Sequence, residues 1–407
     1  MSKPSILFIN RVYPPMRGAS GRVMQDLAYA LVAEGWKVSI ITTGAQHDSF
    51  TDRGVEVRTV KHVKKPRHFI SFCRISFKLL RAGLRAPKHD IIVTLTDPPM
   101  LLNAGCLIAS WKKSRHVHWC HDMYPDLFTV LGVRVPKFLL KRAKAKSRRS
   151  MKKCDQVVTV GRCMMKRLTH TGVDPQKVKL IPNWSDSEIF NIKTHKNNQE
   201  IIKKYQGIAK KPEEMFRDAS PKFRVLYAGN IGRAHSMSAI MDAAELLSDH
   251  TEIEFVFVGD SRAHGLLVEE RTRRSLQNVK FLPYQPIENL REIMESGDVH
   301  LISMRAETTG MLVPCKFYSA LAVGRPALFI GHEASEIGQV INEYSAGKII
   351  SGKGLAKKLA ESIYAYRHDG ESWFSAQEGA LRAAQAYHPS QSLNAWIELL
   401  ERVRVRG

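Results

Sequence analysis

The sequence predicts an α/β protein of two domains, each built around a parallel β-sheet, and three observations lead to this fold class. The chain of 407 residues is longer than one ordinary hydrophobic core supports. Short β-branched runs alternate with amphipathic stretches in both halves, which is typical of β-α-β units. The alternation lapses in a polar stretch between Asn183 and Lys222. We therefore expect domains at residues 1–185 and 222–385, a linker at 186–221 and a C-terminal helix within 386–407.

Seven strands are expected in the first half: Ser5–Ile9, Lys37–Thr42, Val55–Val60, Asp90–Leu95, His116–Cys120, Gln156–Val160 and Val178–Ile181. A helix is expected at Gly21–Glu34, because Val23, Leu27 and Leu31 recur at helical spacing. Gly35 is its stop signal.

Five strands are expected in the second half: Phe223–Tyr227, Glu254–Val258, Val279–Leu282, Val299–Ser303 and Ala327–Ile330. The expected helices are Met237–Leu247, Ala263–Ser275, Ile287–Glu295, Lys316–Ala322 and, at the end of the chain, Pro389–Arg402. A short helix at Gln199–Tyr205 would lie in the linker. Doubly wound sheets bind ligands outside the carboxyl ends of their strands, so reactive residues are expected just after strands.

The positive charge of the chain is confined to its first half. The formal net charge is +23, and residues 1–185 hold all of it, with 34 Lys and Arg against 11 Asp and Glu. The excess concentrates in Lys61–Lys88 and Lys137–Lys153. A solvated helix face explains part of it, but so complete an asymmetry indicates an anionic partner for the first domain. A membrane surface or a phosphorylated acceptor is favoured over nucleic acid, because no nucleic-acid motif accompanies the charge.

Neither an export signal nor a membrane span is evident. The N-terminal apolar run is broken at Asn10 and Arg11, and the stretch Pro99–Trp111 is too short to span a bilayer. The six cysteines form no C-x-x-C pair, which predicts reduced, mostly buried thiols. We expect a cytoplasmic protein that lies peripherally at the inner face of the plasma membrane.

The first expected strand leads into Tyr13–Arg22 (YPPMRGASGR), which opens a helix. Small residues let a ligand approach the backbone, and free N–H groups at a helix start favour a negative charge. The spacing is not the G-x-G-x-x-G of dinucleotide-binding enzymes, and glycine-containing turns are common in this fold class. Arg17 and Arg22 could equally be solvated.

His121 and Asp122 follow the strand His116–Cys120 and are the candidate reactive pair. A histidine and a carboxylate at this end of a strand stand where α/β folds display reactive groups. One alternative is packed strand histidines followed by a turn. Another is a zinc site, because His116, His118 and Cys120 alternate along one face. No second ligand pair has the spacing of a structural zinc site, so no metal is expected.

A glycine-containing corner follows the first strand of the second half, where residues 227–236 read YAGNIGRAHS. Gly229 and Gly232 bracket a tight turn into a helix, with Arg233 beside them, and Gly259 lies in a similar corner after the next strand. Bare amides, a helix start and a cation suit a diphosphate.

Lys316 begins a helix that ends at Gly324-Arg325-Pro326. A lysine in the first turn opposes the helix dipole, so stability alone would not favour it. We therefore expect an anionic ligand at Lys316.

In their order and spacing these motifs resemble the GT-B glycosyltransferases, specifically the retaining family 4 and its branch that builds bacterial surface polysaccharides. The resemblance covers nearly the whole chain. It rests on Pro14–Gly21, His121-Asp122-x-x-Pro125, Ile181-Pro182-Asn183, Tyr227-Ala228-Gly229-Asn230, Phe257-Val258-Gly259-Asp260 and Pro314-x-Lys316-x-Tyr318 with Gly324-Arg325-Pro326. It implies two Rossmann-like domains that face a central cleft, with the C-terminal helix packing on the N-terminal domain.

The resemblance also implies a role for each matching residue. His121 and Asp122 would contact the transferred sugar, and the loop Gly18–Gly21 would face the donor phosphate and the acceptor. Pro283–Gln285, which includes Tyr284, would meet the nucleobase. The other implied donor-binding residues are Gly229, Asn230, Gly232, Arg233, Gly259, Arg305 and Lys316 towards the diphosphate, Thr309 and Gly310 towards the sugar hydroxyls, and Ser319 at the ribose position.

Two departures from the family pattern concern the donor. The family usually carries two glutamates with seven residues between them, and the second holds the ribose hydroxyls. Met311 and Ser319 stand at these positions here. Asn230 and His235 likewise stand where charged residues are usual. Loss of a charged hydrogen bond to ribose would cost roughly 1.5–3 kcal/mol unless another group replaces it.

The implied activity is transfer of a hexosyl or N-acetylhexosaminyl group from a UDP- or GDP-sugar to a lipid-linked or polysaccharide acceptor, as in lipopolysaccharide or capsule synthesis, with no metal or other cofactor. Cations and helix N–H groups would stabilise the nucleoside diphosphate leaving group. Two alternatives stay open. One is a non-catalytic relative that binds nucleotide or membrane as an assembly partner, motivated by Ser319 and Asn230. The other is a sugar-nucleotide epimerase, which would leave the basic first half unexplained. Nucleic-acid binding is the residual option.

Overall fold

The computed structural model describes residues 3–62, 69–133, 135–185, 189, 222–232, 234–259, 262–285 and 289–405. The chain forms two compact units. Unit 1 comprises Met1–Asn183, Gly310–Val313 and Ser390–Gly407, and unit 2 comprises Trp184–Thr309 and Pro314–Pro389. Within the described ranges, no helix has both the length and the apolar character needed to cross a membrane.

Unit 1 is built on an eight-stranded sheet. Its strands are β1 (Ser5–Ile9), β2 (Lys37–Gly44), β3 (Asp48–Asp52), β4 (Val55–Lys61), β5 (Ile91–Thr94), β6 (Arg115–Cys120), β7 (Gln156–Thr159) and β8 (Val178–Leu180). The helices along this part of the chain are α1 (Ala19–Ala33), α2 (Phe69–Arg85), α3 (Leu101–Lys112), α4 (Asp126–Val130), α5 (Lys137–Lys153) and α6 (Arg162–His170).

The strand order in this sheet is β3-β4-β2-β1-β5-β6-β7-β8, and every pairing except β3 with β4 is parallel. The apolar residues of β1 are fully buried, and α2 and α3 pack against the sheet through Ile75, Leu79 and Ile108. The chain leaves β1 towards β2 on one side and reaches β5 on the other. The point where the strand order reverses therefore lies between β1 and β5.

Unit 2 is built on a six-stranded sheet with the order β11-β10-β9-β12-β13-β14, parallel throughout. Its strands are β9 (Phe223–Ala228), β10 (Ile253–Val258), β11 (Val279–Leu282), β12 (Val299–Ser303), β13 (Ala327–Ile330) and β14 (Gly347–Ile350). The helices are α7 (Ser238–Leu246), α8 (Arg262–Arg273), α9 (Leu290–Ser296), α10 (Lys316–Ala322), α11 (Glu336–Tyr344), α12 (Leu355–His368) and α13 (Gly370–Ala386). The strand order reverses between β9 and β12.

The last helix, α14 (Pro389–Val405), packs on unit 1. The Trp396 ring lies 4.5 Å from the Trp119 ring of β6, measured between centroids. The Ser392 hydroxyl donates a hydrogen bond to the Pro182 carbonyl oxygen at 3.0 Å. The end of the chain thus covers the face of β6 that carries Trp119.

The predicted fold class is confirmed, and the predicted strands agree with the structure to within two residues at either end. Two strands were not predicted. β3 has the polar sequence DSFTD at an exposed edge, and β14 is only four residues long, so neither shows the expected apolar alternation. The predicted linker and its short helix lie outside the described residues, apart from Ile189, whose carbonyl oxygen accepts a hydrogen bond from Arg291.

The six cysteines are all free thiols, but fewer are buried than predicted. Cys120 and Cys154 are buried and Cys73 is exposed, while the other three are partly buried. Several thiols lie on helices, where one side faces water, and sequence periodicity does not show this for a small residue.

Candidate active site

Three neighbouring strands of unit 1 end at one edge of the sheet, and polar residues follow each of them. Arg11 follows β1, Asp97 follows β5, and His121 and Asp122 follow β6. The Arg11 guanidinium donates two hydrogen bonds of 2.7 Å to the Asp97 carboxylate, one from Nε and one from Nη2. The cation at this edge is therefore already matched by a carboxylate.

His121 is buried, and its ring packs on Trp119 with centroids 4.8 Å apart. Burial lowers the pKa of His121 to about 3, so the imidazole is neutral near pH 7. Its Nε2 atom is buried and has no hydrogen-bond partner among the described residues. A neutral imidazole with a vacant ring nitrogen can exchange a hydrogen bond with a ligand hydroxyl.

Asp122 is partly buried beside His121, and Thr96 Oγ1 donates a hydrogen bond of 3.4 Å to its Oδ2 atom. Burial, together with the negative charge of Asp97, raises the pKa of Asp122 to about 6. A carboxyl group with this pKa titrates close to neutral pH, as groups at reactive sites often do.

The segment Gly310–Val313 belongs to unit 1 and runs antiparallel to the residues that follow β6. Asp122 bridges to Leu312, and the Met123 amide donates to the Met311 carbonyl oxygen at 2.8 Å. Gly310 has φ +72°, and a Cβ atom there would lie 3.0 Å from the Cys163 carbonyl oxygen. The two residues predicted to offer amides to the sugar are thus divided, with Thr309 in unit 2 and Gly310 in unit 1.

The predicted glycine loop lies at the start of α1, where Gly18 is the N-cap residue and Gly21 is in the first turn. A Cβ atom on Gly21 would lie 2.9 Å from the Val12 carbonyl oxygen and 3.2 Å from Tyr13 Cα. This close approach of two backbone segments accounts for glycine at position 21 without a ligand. No acidic residue occupies the first turn of α1, and no side chain among the described residues caps it.

Two glycine corners meet at the carboxyl edge of the unit 2 sheet. Gly229 follows β9 with φ +115°, and Gly259 follows β10 with φ +156°. The Gly229 amide donates to the Val258 carbonyl oxygen at 2.8 Å. A Cβ atom on Gly259 would lie 2.9 Å from the Gly229 carbonyl oxygen. Both positions need glycine, because their backbone conformations are strained for other residues and space between the corners is short.

Lys316 is the first residue of α10, and its side chain extends to the Gly229 corner. Its Nζ atom lies 3.6 Å from the centroid of the Tyr227 ring. The Nζ atom is buried and has no hydrogen-bond partner in the part of the chain that the structure describes. Burial lowers the pKa of Lys316 to about 7. The site therefore holds a desolvated amine beside bare backbone, an arrangement that an anion would stabilise.

His235 connects the glycine turn to the end of β12. Its Nδ1 atom lies 2.6 Å from the Ser303 carbonyl oxygen, and the Ser236 amide donates to Ser303 Oγ at 2.8 Å. Burial, and secondarily the charge of Lys316, lowers the pKa of His235 to about 4. His235 is thus a neutral structural residue and does not supply the charge that is usual at this position.

The remaining predicted residues lie around this corner or beyond it. Asn230 and Gly232 are exposed in the turn, and Tyr284, Thr309 and Ser319 are partly buried. Arg305 donates its backbone amide to Ala234, and its side chain lies 3.6 Å from Glu307. Arg233 and Asp260 lie outside the described residues.

Three residues at these edges were not predicted: Tyr227, Thr96 and Asp97. Tyr227 carries the ring beneath Lys316, whereas Thr96 and Asp97 contact or influence Asp122. The sequence LTDPP directly after a buried strand was a usable signal for the latter two, because β5 and β6 are adjacent.

Two family profiles match the chain in sequence. Glycosyltransferase Family 4 matches residues 20–189, and glycosyl transferases group 1 matches residues 222–369. The chain is therefore a glycosyltransferase. Each profile falls on one of the two sheets, so both halves of this glycosyltransferase carry a recognised domain of the enzyme class.

Two relatives and one solved structure illustrate the similarity. The glycosyltransferase is 27% identical over 289 residues to WcaI of Escherichia coli (strain K12), assigned as a colanic acid biosynthesis glycosyl transferase, across 69% of this chain and 67% of WcaI. It is 24% identical over 272 residues to WbjE of Pseudomonas aeruginosa, assigned as a glycosyltransferase, across 65% and 62% of the two chains. Anabaena Alr3699/HepE in complex with UDP-glucose has a similar fold, with a TM-score of 0.68, 15% identity and coverage of 98% and 99%.

Proposed function

We propose that this glycosyltransferase moves a sugar, with retention of configuration, from a UDP- or GDP-sugar to a lipid-linked or polysaccharide acceptor in the synthesis of a cell-surface glycan. The observation that carries the proposal is the buried Nζ atom of Lys316, which lies beside Gly229 without a hydrogen-bond partner among the described residues. The relative WcaI, assigned to colanic acid biosynthesis, supports the glycan product. HepE, which binds UDP-glucose on the same fold, supports the class of donor.

In this proposal the diphosphate of the donor binds at the glycine corner of unit 2. The anion would supply the hydrogen bonds and the opposite charge that Lys316 lacks. Gly229 and Gly232 would let its oxygens approach the backbone amides closely, and Arg305 and Arg233 would assist. As the bond between sugar and phosphate breaks, negative charge grows on the leaving diphosphate, and fixed cations and amides stabilise that charge.

The transferred sugar is assigned to His121 and Asp122 of unit 1. Neutral His121 offers Nε2 to a sugar hydroxyl, and the Asp122 carboxylate can accept a hydrogen bond from another. Because the Gly310–Val313 segment hydrogen-bonds to this strand end, it holds the backbone of Asp122 and Met123 in place. The amides predicted at Gly310 would then act next to the same two side chains.

In this proposal the acceptor lies at an anionic membrane surface, and α5 contacts that surface. This helix holds nine Lys and Arg residues and no acidic residue, and Lys141, Arg142, Arg148 and Arg149 are exposed. Phe138 is 62% exposed at its start, and Trp111 on the neighbouring α3 is 78% exposed. Basic helices with exposed aromatic side chains bind anionic lipid headgroups.

The donor class is tested by a thermal-shift screen of the purified protein against UDP-, GDP-, ADP- and TDP-sugars, followed by nucleotide release in the presence of membranes. One donor is expected to raise the melting temperature, because a ligand that binds only the native state stabilises it. Lys316→Ala should abolish the shift and slow the release about 100- to 1,000-fold. Lys348→Ala is a matched control, because Lys348 Nζ also lies over a tyrosine ring, 4.5 Å from the centroid of Tyr366. Equal turnover in wild type and Lys316→Ala would refute the assignment.

The membrane contact is tested separately by flotation with vesicles of phosphatidylglycerol or of phosphatidylcholine. Selective binding to the anionic vesicles is expected, with weaker binding for a variant in which Lys141, Arg142 and Arg149 are glutamate. Each basic residue near the surface contributes about 1 kcal/mol to such binding. Equal flotation of the variant and the wild type would exclude α5 as the contact.

A further inference from the structure

Two cysteines and a histidine from three separate elements meet in unit 1, away from His121 and Asp122. Cys106 lies on α3, His116 lies on β6, and Cys154 is the C-cap residue of α5. Their two sulfur atoms and one ring nitrogen all lie within 4.8 Å of one another. His116 and Cys154 are buried, and Cys106 is partly buried.

The spacing of these three atoms is that of ligands around one ion. His116 Nδ1 lies 3.5 Å from Cys106 Sγ and 3.4 Å from Cys154 Sγ. In a tetrahedral zinc site, with Zn–S bonds of about 2.3 Å and Zn–N bonds of about 2.0 Å, neighbouring N and S ligands are roughly 3.5 Å apart. Both nitrogen-to-sulfur distances therefore match those expected around one zinc ion.

The other ring nitrogen of His116 has a hydrogen-bond partner, as the second nitrogen of a metal-binding histidine usually does. Its Nε2 atom lies 2.9 Å from Thr94 Oγ1. With an ion on Nδ1, Nε2 carries the proton and donates it to the threonine hydroxyl. Such a hydrogen bond fixes the tautomer and the ring orientation of a metal ligand.

The space for the His116 ring depends on Gly105, the residue before Cys106. A Cβ atom on Gly105 would lie 2.4 Å from His116 Nε2 and 2.5 Å from Thr94 Cγ2. No side chain larger than hydrogen fits there without displacing the ring. Gly105 thus leaves room for the ring between the two sulfurs, although a glycine inside a helix destabilises α3.

The two thiols also approach one backbone oxygen, since Cys106 Sγ and Cys154 Sγ donate to the Ser150 carbonyl oxygen at 3.5 and 3.4 Å. Two thiolates and one neutral imidazole around Zn²⁺ carry no net charge, so burial of the complete site avoids the cost of an isolated ion. Soft sulfur ligands with one imidazole select zinc over magnesium or calcium.

We propose that Cys106, His116 and Cys154 form a zinc-binding site, with water in the fourth position. The ion would join α3, β6 and the end of the basic helix α5, and its role would be structural. The set differs from the one that the sequence suggested. His118 faces the Thr94 carbonyl oxygen at 3.0 Å, and Cys120 Sγ donates to the Asp122 carbonyl oxygen at 3.7 Å, so neither belongs to the cluster.

The first test is the metal content of the full-length protein purified without chelators under a non-thiol reductant. Elemental mass spectrometry should find one zinc ion per chain. That zinc should be released when a mercurial reagent titrates the thiols. Co²⁺ added to protein stripped with a chelator should give the near-ultraviolet sulfur-to-cobalt charge-transfer band of a thiolate site. Absence of this band at saturating Co²⁺ would overturn the proposal.

Variants locate the ligands. Cys106→Ser and Cys154→Ser should each lose the charge-transfer band, whereas Cys163→Ser, a partly buried cysteine outside the cluster, should keep it. Thr94→Val, which removes only the partner of His116 Nε2, should weaken zinc binding about 10- to 100-fold. Because Thr94→Val retains all three ligands, it gives a result even if a cysteine variant fails to fold. Unchanged affinity in folded Cys106→Ser protein would contradict the assignment.

Two further measurements separate zinc from a redox role for the same thiols. Zinc should raise the melting temperature of the stripped wild type, and Cys106→Ser should lose this effect. A disulfide between Cys106 and Cys154 in protein purified from the reducing cytoplasm, identified by peptide mapping without reduction, would overturn the proposal in favour of thiol oxidation. Donor-sugar binding is measured in parallel, and its loss or retention is independent of the zinc result because Lys316 belongs to unit 2.

Discussion

The two sheets present different edges to a ligand, although both follow the same α/β plan. In unit 1 the cation at the edge is already paired, with Arg11 held by Asp97 through two hydrogen bonds of 2.7 Å. In unit 2 the amine of Lys316 is buried beside glycine and has no hydrogen-bond partner among the described residues. A matched charge stabilises a loop, whereas an unmatched buried charge costs free energy until a ligand binds. On this comparison we propose that the anionic part of the donor binds to unit 2.

The largest effect is expected from removal of the unmatched amine. Lys316→Ala should lower kcat/KM about 100- to 1,000-fold, because it removes a fixed cation from the growing charge of the leaving group. The folded state should not suffer, since the variant also removes the cost of burying an amine without a partner. Steady-state kinetics and thermal melting of Lys316→Ala beside Lys348→Ala check both statements. Comparable losses in the two variants would mean that Lys316 has no special role.

A second prediction concerns glycines at the two edges. Gly21→Ala should destabilise the protein by about 1–3 kcal/mol, because its Cβ atom would press on the Val12 carbonyl oxygen at 2.9 Å. Gly232→Ala should leave stability unchanged, because the nearest atom to its Cβ is His235 Cδ2 at 3.8 Å.

Donor affinity distinguishes the same pair of variants. Gly232→Ala should weaken binding of the donor if the turn exists for close approach of the diphosphate. Denaturant melts and calorimetric titration of both variants make the comparison. A stability loss for Gly232→Ala with unchanged donor affinity would reverse the roles that we assign to the two glycines.

The pKa of Lys316 predicts a pH dependence of donor binding. In the free enzyme burial lowers this pKa to about 7, and a bound diphosphate raises it again, so binding takes up a proton above pH 7. Affinity for the sugar nucleotide should therefore be constant below pH 7 and fall by up to about tenfold per pH unit above it. Lys316→Arg stays charged in this range and should show no such slope. A slope that persists in Lys316→Arg would assign the titration to another group.

The smallest effect is expected at His121 of unit 1. His121→Phe keeps a ring against Trp119 and removes only the ring nitrogens, of which Nε2 has no partner in the described part of the chain. Stability should be unchanged or slightly higher, while kcat/KM should fall roughly tenfold through loss of one hydrogen bond to the sugar. Transfer kinetics alongside thermal melting separate the two effects. Wild-type kinetics in this variant would show that His121 Nε2 makes no hydrogen bond that matters for transfer.

Much of this molecule is determined by the sequence alone. The spacing of apolar residues located β1, β9, β12 and α10, because periodicity is a local property of each element. The same local signals placed His121, Asp122, Gly229 and Lys316 just after strands or at a helix start. The conflict between the positive charge of Lys316 and the helix dipole is likewise a property of the sequence.

Only the tertiary structure decided which residues meet. Cys106 and Cys154 stand 10 and 38 residues from His116 in the chain, and no motif joins them, because their contact depends on how α3 and α5 pack on β6. The pairing of Asp122 with Leu312 and the position of Lys316 over Tyr227 are also long-range contacts. Local periodicity determines whether a segment forms a helix or a strand, and a single sequence shows this periodicity directly. Which elements become neighbours depends on side-chain packing across the sheet, which a single sequence does not show directly.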